Sequence, residues 1–316
     1  QDPPRARTPG TPMSLGQGAA SQPGQRACGR VTLVNRFGYP DDSPTSRLMH
    51  DLASDLAASR PDLEIRVIAS NRLYGHSTTR LPARETVGRV GFARVWAPAG
   101  GGGLLQRALG YGLFYVQAML QLLLGLRRGE LVICMSDPPM FGVLAALATQ
   151  ARGARLVQWV QDLYPDVVQS AGLTRSAPLM NLLLRLRRAA YRASERLVVI
   201  GEGMCERLLR DGSGCPVEII PNWAGAGDIR PVPREALPLA QAWLPPCGFV
   251  VGYFGNLGFA HSFQSSLEAA ARLMPEPGIQ FLWVGDGSRR PAFQKALQEM
   301  QLTNVHWQGK QPFDRM

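Results

Sequence analysis

A chain of 316 residues, of which 45% are hydrophobic and 18% charged, is long enough to bury the cores of two domains of ordinary size. Its five cysteines form no C-x-x-C pair and stand near no group of histidines, which argues against a zinc site and favours reduced thiols in a cytosolic protein. The formal charge of +10 favours an acidic partner. Because the sequence has no zinc-finger spacing and no RNA-binding signature, phosphate groups and an anionic membrane surface are preferred to nucleic acid.

The beginning of the chain carries no strong folding signal. Residues 1–30 are rich in Pro, Gly, Gln and Ser and lack the continuous apolar core of a secretory signal. We expect a disordered leader there, with either Gln1 or Met13 as the true start.

From residue 31 the sequence alternates short β-rich runs with helix-like segments, the pattern that builds a parallel sheet covered by helices. Between the first two runs, Leu48, Leu52 and Leu56 recur every four residues and predict one apolar helix face that packs on the sheet. Residues 31–230 are therefore predicted to form a Rossmann-like α/β domain. Its predicted strands are Val31–Asn35, Ile65–Ala69, Val90–Trp96, Leu131–Met135, Leu156–Val160, Leu197–Ile200 and Val217–Ile220.

A second round of the same pattern follows residues 231–246, a Pro-rich segment predicted to be an interdomain linker. In residues 247–316, a Rossmann-like half with three strands leaves an unpaired sheet edge and uncovered apolar faces, which native domains avoid. We therefore expect this second domain to be incomplete. Its predicted elements are a strand at Phe249–Phe254, a helix at Ser262–Leu273, a strand at Ile279–Val284, a helix at Arg290–Met300 and a strand beginning at Val305–Trp307.

Two apolar segments of the first domain point towards a membrane surface. Leu104–Leu126 barely meets the length of a membrane span and is interrupted by polar residues and glycines, so it is predicted to be an interfacial or buried helix. In a predicted helix at Pro178–Arg196, Arg185, Arg188 and Arg192 share one face. That face is either a solvated surface or a patch that attracts anionic lipid head groups.

Glycine loops follow two strands of the second domain. Gly255-Asn256-Leu257-Gly258 comes directly after a strand and before a helix, where glycines let a ligand approach and free N–H groups favour a phosphate. Gly285-Asp286-Gly287 follows the next strand, at the sheet edge where open α/β sheets bind ligands. Steric demands of a tight turn are the alternative explanation for the glycines, and an ordinary turn role is the alternative for Asp286.

Acidic residues follow two strands of the first domain. Asp162 comes directly after an apolar strand, and it either orients a sugar hydroxyl or caps the following segment. Asp137 stands in a proline-rich loop one strand earlier, where a structural role is favoured. The first strand is followed by Arg36-Phe37-Gly38, without the G-x-G-x-x-G turn of dinucleotide-binding enzymes, which disfavours a nicotinamide enzyme.

An ordered set of short motifs carries a family resemblance. In chain order they are Tyr39-Pro40, Asp137-Pro138-Pro139, Trp159–Asp166, Ile220-Pro221-Asn222-Trp223, Gly255–Gly258 and Val284–Gly287. Over about residues 31 to 312, the chain resembles family 4 glycosyltransferases, especially the bacterial branch that builds exopolysaccharide and O-antigen units. The resemblance implies the GT-B architecture, in which two Rossmann-like domains face a cleft.

The resemblance also implies an activity and roles for single residues. It implies a retaining transfer of a sugar from a nucleotide-sugar donor, without a bound metal or other cofactor, to a lipid-linked saccharide at the inner face of the cell membrane. Gly255–Gly258 would lie against the donor pyrophosphate, and Gly285, Asp286 and Gly287 would line the nucleotide pocket. Asn222 would sit near the interdomain cleft. Asp162 is the first choice for a catalytic contact.

The basic residue that many relatives carry after the first glycine loop is replaced here by Phe259 and Ala260. His261 either substitutes for it when protonated or has a capping or packing role. Arg289 and Arg290 are either phosphate ligands or solvated residues at a helix start. The family's pair of glutamates, which hold the donor ribose and sugar, is expected after Met316. An inactive remnant that serves as a binding module is therefore the alternative function, and a sugar-nucleotide epimerase is less favoured.

Overall fold

Short apolar runs bounded by turn residues form the strands of this protein, and their neighbours in the sheets come from distant parts of the chain. The computed structural model describes residues 29–74, 76–98, 104–170, 176–224, 233, 243, 248–258 and 261–311. The predicted leader lies almost wholly outside these residues. So does the predicted linker, apart from Pro233 and Trp243, and so do Phe259 and Ala260.

The described residues divide into two compact units. The first runs to Gln161 and resumes over Arg187–Ile219, whereas the second consists of Asp162–Leu186 and the residues from Ile220 onward. The assignment of Asp162–Leu186 to the second unit is not part of the sequence prediction. The domain boundaries drawn at residues 230 and 247 stay predictions.

The strands of the first unit, in chain order, are β1 Arg30–Val34, β2 Glu64–Ser70, β3 Arg72–Leu73, β4 His76–Arg80, β5 Arg84–Val87, β6 Val90–Val95, β7 Leu131–Met135, β8 Arg155–Val160, β9 Arg196–Val199 and β10 Val217–Ile219. The main sheet has the order β10-β9-β8-β7-β1-β2-β6-β5. Its pairs are parallel except that β5 runs antiparallel to β6, while β3 and β4 form a separate hairpin. The predicted parallel α/β class is confirmed.

The helices are α1 Pro44–Ser59, α2 Leu104–Gly125, α3 Phe141–Arg152, α4 Asp166–Ser170, α5 Ala177–Arg192, α6 Glu202–Arg210, α7 Gln264–Arg272 and α8 Arg290–Glu299. Leu48 of α1 is buried in one core cluster with β1 and β2, and Leu52 and Leu56 pack against the same cluster. The predicted apolar face of α1 is therefore confirmed. A second cluster joins α2 and α3 to the sheet through Phe114 and Phe141, whose rings meet edge to face.

Helix α5 differs from its prediction in length and in its arginines. It ends at Arg192, because Arg196 already begins β9. Arg185 and Arg192 are exposed and Arg188 is half-buried, as expected for a surface face. Arg187, which the spacing did not single out, is buried, and its guanidinium lies 2.6 Å from the carboxylate of Asp211.

The second unit repeats strand and helix around a smaller parallel sheet. Its strands are β11 Phe249–Phe254, β12 Ile279–Val284 and β13 Val305–Gln308, in the order β11-β12-β13. Phe281 and Trp283 of β12 are buried in one cluster with Leu267 of α7 and Phe293 of α8. Within the described residues β11 pairs only with β12, and it leaves Phe249 exposed. The expectation that this second domain is incomplete stays a prediction.

Strands β3, β4 and β5 and helices α3, α4 and α6 were not among the predicted elements. The polar strand β5 is held by antiparallel pairing with β6, and the β3–β4 hairpin is short and irregular. Helix α3 begins at Phe141, immediately after two prolines, with Met140 in a left-handed conformation at its start. Tertiary pairing decides the short strands β3, β4 and β5, since neither periodicity nor composition marks them. The Ala- and Leu-rich segment of α3 does carry a helical signal, which the prediction passed over.

Candidate functional site

The two glycine loops lie side by side at one edge of the smaller sheet. Strand β11 pairs in parallel with β12, and Phe254 stands opposite Val284 in the register. Gly255 and Gly285 are the next residues of their strands, so both loops leave the carboxyl edge together. This is the edge at which open α/β sheets bind ligands, and the predicted juxtaposition is confirmed.

Backbone hydrogen bonds join one loop to the other. The N–H of Gly255 donates to the carbonyl of Val284 at 3.0 Å, and the N–H of Leu257 donates to the carbonyl of Asp286 at 2.9 Å. The N–H of Arg289 donates back to the carbonyl of Leu257 at 3.0 Å. The two loops therefore act as one rigid backbone platform.

Close packing explains the two glycines of the second loop. A Cβ at Gly285 would lie 1.9 Å from the carbonyl oxygen of Gly255, and one at Gly287 would lie 2.4 Å from the carbonyl oxygen of Leu257. Both distances are far below van der Waals contact, so no side chain fits. The sequence analysis left open whether turn sterics or a ligand requires these glycines, and the steric requirement is now observed.

Asp286 and Arg290 form an ion pair at the start of α8. One carboxylate oxygen of Asp286 accepts from the N–H of Gly287 at 2.7 Å, and the other lies 3.2 Å from the Arg290 guanidinium. The guanidinium also lies 4.5 Å from the ring centroid of Trp307. Arg290 is thus neither a fully solvated residue nor an unengaged cation, and a phosphate ligand would have to share it with Asp286.

His261 is tied to the first glycine loop. Its Nδ1 lies 2.6 Å from the carbonyl oxygen of Asn256, and because a carbonyl only accepts, Nδ1 carries the proton. Its backbone N–H donates to the carbonyl of Gly258 at 3.1 Å. Arg289 donates to the carbonyl of His261 at 2.9 Å, and its guanidinium lies over the ring of Phe263. This arrangement leaves Nε2 to serve a ligand, as an acceptor in the neutral ring or as a donor in the protonated one.

Asp162 and Asn222 stand where two strands of the larger sheet end. Asp162 follows β8 in a loop whose Gln161 N–H donates to the hydroxyl of Ser136 at 3.1 Å, which links it to the loop after β7. The Asp162 carboxylate keeps access to solvent, while desolvation by the protein atoms around it raises its pKa above the ordinary value of 3.8. Asn222 is exposed in the segment after β10.

One pair of residues at the carboxyl edge of the larger sheet was missed by the sequence analysis. The guanidinium of Arg36, directly after β1, lies 3.7 Å from the ring centroid of Tyr111 on α2, and the backbone N–H of Arg36 donates to the carbonyl of Asp137 at 2.8 Å. Desolvation raises the pKa of Tyr111. The available signal was the position of Arg36 in the loop after the first strand, which the sequence analysis tested only for a dinucleotide-binding turn.

Cysteine and metal chemistry have little support in the described residues. Cys134 is buried in β7, and burial raises the pKa of its thiol to about 12, so the predicted inert thiol is confirmed. Within the ranges that the structure describes, no three His, Cys, Asp or Glu side chains are grouped closely enough to hold a metal ion.

A parallel α/β sheet with ligand-type loops at its carboxyl edge, followed by a second unit of the same design, defines the class of GT-B glycosyltransferase folds. Comparison with solved structures agrees. Sucrose-phosphate synthase from Thermosynechococcus elongatus superposes with a TM-score of 0.67 at 16% identity, over 90% of this chain and 71% of that one. HepE from Anabaena, solved in complex with UDP-glucose, superposes with a TM-score of 0.57 at 14% identity, over 90% of this chain and 70% of that one.

Sequence comparison identifies the family. The model of the glycosyl transferase 4-like domain matches residues 45–223, and the chain belongs to this family. It is 30% identical over 189 residues to the probable glycosyltransferase WbjE of Pseudomonas aeruginosa, and 25% identical over 267 residues to the putative colanic acid biosynthesis glycosyl transferase WcaI of Escherichia coli. These matches cover 59% and 80% of this chain, and they span 47% and 65% of the lengths of the two relatives.

Proposed function

We propose that this protein transfers a sugar from a nucleotide-sugar donor to a lipid-linked saccharide, with retention at the anomeric carbon, in cell-surface polysaccharide biosynthesis. The reaction breaks the bond between the anomeric carbon and the diphosphate and forms a bond to an acceptor hydroxyl oxygen, whose proton leaves with the diphosphate. The family and the polysaccharide-related relatives support the transferase class.

The observation that carries the donor assignment is the joined pair of glycine loops. Gly255 and Leu257 direct their N–H groups to the neighbouring loop. Within the described residues no hydrogen bond engages the N–H groups of Asn256 and Gly258, the residues that directly follow Gly255 and Leu257. Two such groups beside glycines suit the diphosphate of a nucleotide sugar. In HepE, the structural neighbour described above, the ligand is UDP-glucose.

Further roles are proposed from the family resemblance. We assign Asp162 the catalytic contact to the transferred sugar or the acceptor hydroxyl, and Asn222 the place near the cleft that the resemblance implies. His261 and Arg290 are assigned to the donor phosphates, with Gly285, Asp286 and Gly287 shaping the nucleotide pocket. The resemblance implies transfer without a metal, and His261 and Arg290 are the groups proposed to face the diphosphate. The protein works in the cytoplasm, peripheral to the inner face of the cell membrane.

Nucleoside diphosphate binding tests the donor site directly. Isothermal titration with UDP, GDP and ADP identifies the base, and Gly258→Val is expected to weaken binding by about tenfold or more because the branched side chain blocks the approach to the backbone. Gly278→Ala is the matched control, since a Cβ there meets nothing within 4 Å. Equal affinities for Gly258→Val and the wild type would contradict the assignment.

Transfer itself is tested with the nucleotide sugar of the preferred base and a lipid-linked saccharide extract. The anomeric configuration of the product, read by NMR, checks retention. Nucleotide binding without transfer would support a non-catalytic binding module. Conversion of the donor sugar to its epimer without an acceptor would replace the proposal with an epimerase.

A further inference from the structure

Helix α2 has one buried face and one exposed apolar face. Phe114, Ala118 and Leu122 pack into the core cluster and are at most 1% exposed. The opposite face is a row of aliphatic residues that we name the leucine stripe. It consists of Leu109 (54% exposed), Val116 (60%), Leu120 (49%) and Leu124 (81%).

The stripe is continuous because its spacing follows the helical repeat. The steps from Leu109 to Val116, Leu120 and Leu124 are seven, four and four residues, which keep these side chains on one side of α2. Scattered exposed leucines are ordinary on protein surfaces, whereas a row of them along one helix marks an interaction site.

A helix with one face in a protein core does not cross a bilayer. Among the described residues, α2 is the single helix long and apolar enough to do so by length and composition, over Ala108–Gly125. Its inner face, however, is covered by the sheet and by α3. Lipid can therefore contact only the leucine stripe of α2, as it contacts only one face of a helix that lies in the plane of the membrane interface.

The charges around the stripe select an anionic lipid surface as the occupant. Helix α2 contains no acidic residue. Arg127 and Arg128 directly follow it, and Arg152 ends α3. Arg127 pairs with Glu64 at 3.2 Å, and Arg152 donates to the carbonyl of Leu126 at 3.1 Å, but the described residues provide no carboxylate partner for Arg128 or Arg152. Exposed guanidinium groups beside an apolar row bind lipid phosphates while the aliphatic side chains enter the acyl region.

A second copy of this chain fits the same surface less well. If α2 paired with the α2 of a second copy, one arrangement would bring the two positively charged arginine clusters together. The other would place each arginine cluster beside the apolar row of the partner copy. The net charge of +10 adds to that repulsion and to the attraction of anionic lipid.

The orientation of α2 connects this surface with the site. Tyr111, near the beginning of α2, contacts Arg36 at the carboxyl edge of the larger sheet. We propose that the leucine stripe docks on an anionic bilayer, with the arginines at the end of α2 on the lipid phosphates, and so holds the sheet face that carries α2 at the lipid surface, with the Tyr111 end of the helix at the carboxyl edge, where a lipid-linked acceptor presents its saccharide. This inference rests on the proposed function for the identity of the acceptor but not for the docking.

Vesicle flotation tests the docking with the full chain. The wild type is expected to float with vesicles of phosphatidylglycerol and phosphatidylethanolamine at low salt, and to stay in solution with phosphatidylcholine vesicles or at high salt. The double variant Leu120→Gln with Leu124→Gln is expected to reduce the floated fraction at least tenfold, because glutamine keeps the helix propensity and removes the apolar surface. Arg128→Gln with Arg152→Gln is expected to remove the preference for anionic vesicles.

The matched control is Leu209→Gln with Met274→Gln, which changes two exposed apolar residues, 60% and 43% exposed, on α6 and just after α7. Flotation of this control at the wild-type level, with loss for the stripe variant, supports the proposal. Equal flotation of the stripe variant and the wild type would overturn it, and so would equal losses in both double variants. A wild-type dimer that becomes monomeric only in the stripe variant, without flotation, would assign the stripe to a second copy.

Activity separates this inference from the proposed function. The stripe variant is expected to keep nucleoside diphosphate binding and transfer to a short-chain, water-soluble acceptor, and to lose transfer to an acceptor embedded in vesicles. Failure to bind any nucleoside diphosphate, with normal flotation, would refute the proposed function and leave the docking intact. Normal transfer to the embedded acceptor by a stripe variant that no longer floats would refute the docking role.

Discussion

Gly285 lies so close to Gly255 that a single methyl group at Gly285 would stand 1.9 Å from the carbonyl oxygen of Gly255. This contact sets the spacing of the two loops proposed to hold the donor diphosphate. The hydrogen bond from the N–H of Leu257 to the carbonyl of Asp286 depends on the same close approach.

Gly285→Ala is expected to separate the loops. Relieving the clash requires backbone movement at a φ of +148°, and we expect a loss of about 2–4 kcal/mol of unfolding free energy together with loss of nucleoside diphosphate binding. Urea denaturation and titration calorimetry measure the two effects. Gly278→Ala, in open space, is expected to change neither, and a fully stable Gly285→Ala protein with normal binding would contradict this account.

Asp162→Asn is expected to lower the rate of transfer and to increase stability slightly at neutral pH. Burial raises the folded-state pKa of this carboxyl, so its ionised form costs stability at pH values above the folded pKa. That cost in stability disappears as the pH falls below about 3.9, the pKa of an aspartate in the unfolded chain, and the melting temperatures of variant and wild type should then converge. A loss of kcat of about 100-fold or more at unchanged nucleotide affinity is expected for a catalytic contact.

The same substitution separates the two alternatives for Asp162. A carboxylate that only caps its loop would cost stability when replaced and would leave kcat nearly unchanged. Melting curves from pH 3 to 8 and steady-state kinetics on the same preparation make the distinction. Lower stability with an unchanged kcat would assign Asp162 to the cap.

Arg290→Gln is expected to weaken nucleoside diphosphate binding by about tenfold, with a smaller dependence of affinity on salt than in the wild type. Its ion pair with Asp286 is half-exposed, so the loss of unfolding free energy should stay within about 1 kcal/mol. The matched control is Lys295→Gln on the same helix, which removes an exposed pair with Glu299 at 3.6 Å. Equal affinities for both variants and the wild type would remove Arg290 from the donor site.

The buried pair of Arg187 and Asp211 is expected to matter for stability rather than activity. Asp211→Ala leaves the Arg187 charge buried beside Tyr191, and we expect a loss of about 3 kcal/mol of unfolding free energy. The comparison is Glu195→Ala, which breaks an exposed pair with Arg155 and should cost about 1 kcal/mol or less. Chemical denaturation measures both, and equal costs would show that burial of the pair has no effect.

Local patterns predicted most of the fold. The bounds of β7, β11 and β12 agree with the predicted strands, because each is an apolar run of five or six residues with strong β propensity. The bounds of α7 and α8 agree closely as well. The polar strand β5 was missed, since its formation depends on pairing with β6 rather than on its own periodicity. Helix α3 was missed although its buried residues Phe141, Ala145 and Ala148 recur at helical spacing.

The candidate site was predicted in its placement and less well in its chemistry. Parallel strands end at the same edge, so Gly255–Gly258 and Gly285–Gly287 had to lie together. The hydrogen bond from Nδ1 of His261 to the carbonyl oxygen of Asn256 was not predictable, because it depends on the loop conformation. Nor was the contact of Arg36 with Tyr111, whose residues are far apart in the chain.

The sequence by itself determined the order of the strands along the chain and the loops that end them, because apolar run length and turn residues are local properties of the chain, and its ordered motifs carried the family resemblance. Only the tertiary structure decided that packing forbids any side chain at Gly285 and Gly287, that Arg290 is held by Asp286, and which face of α2 remains exposed. These outcomes depend on which atoms from distant segments occupy the space around each residue, and no local pattern contains that information.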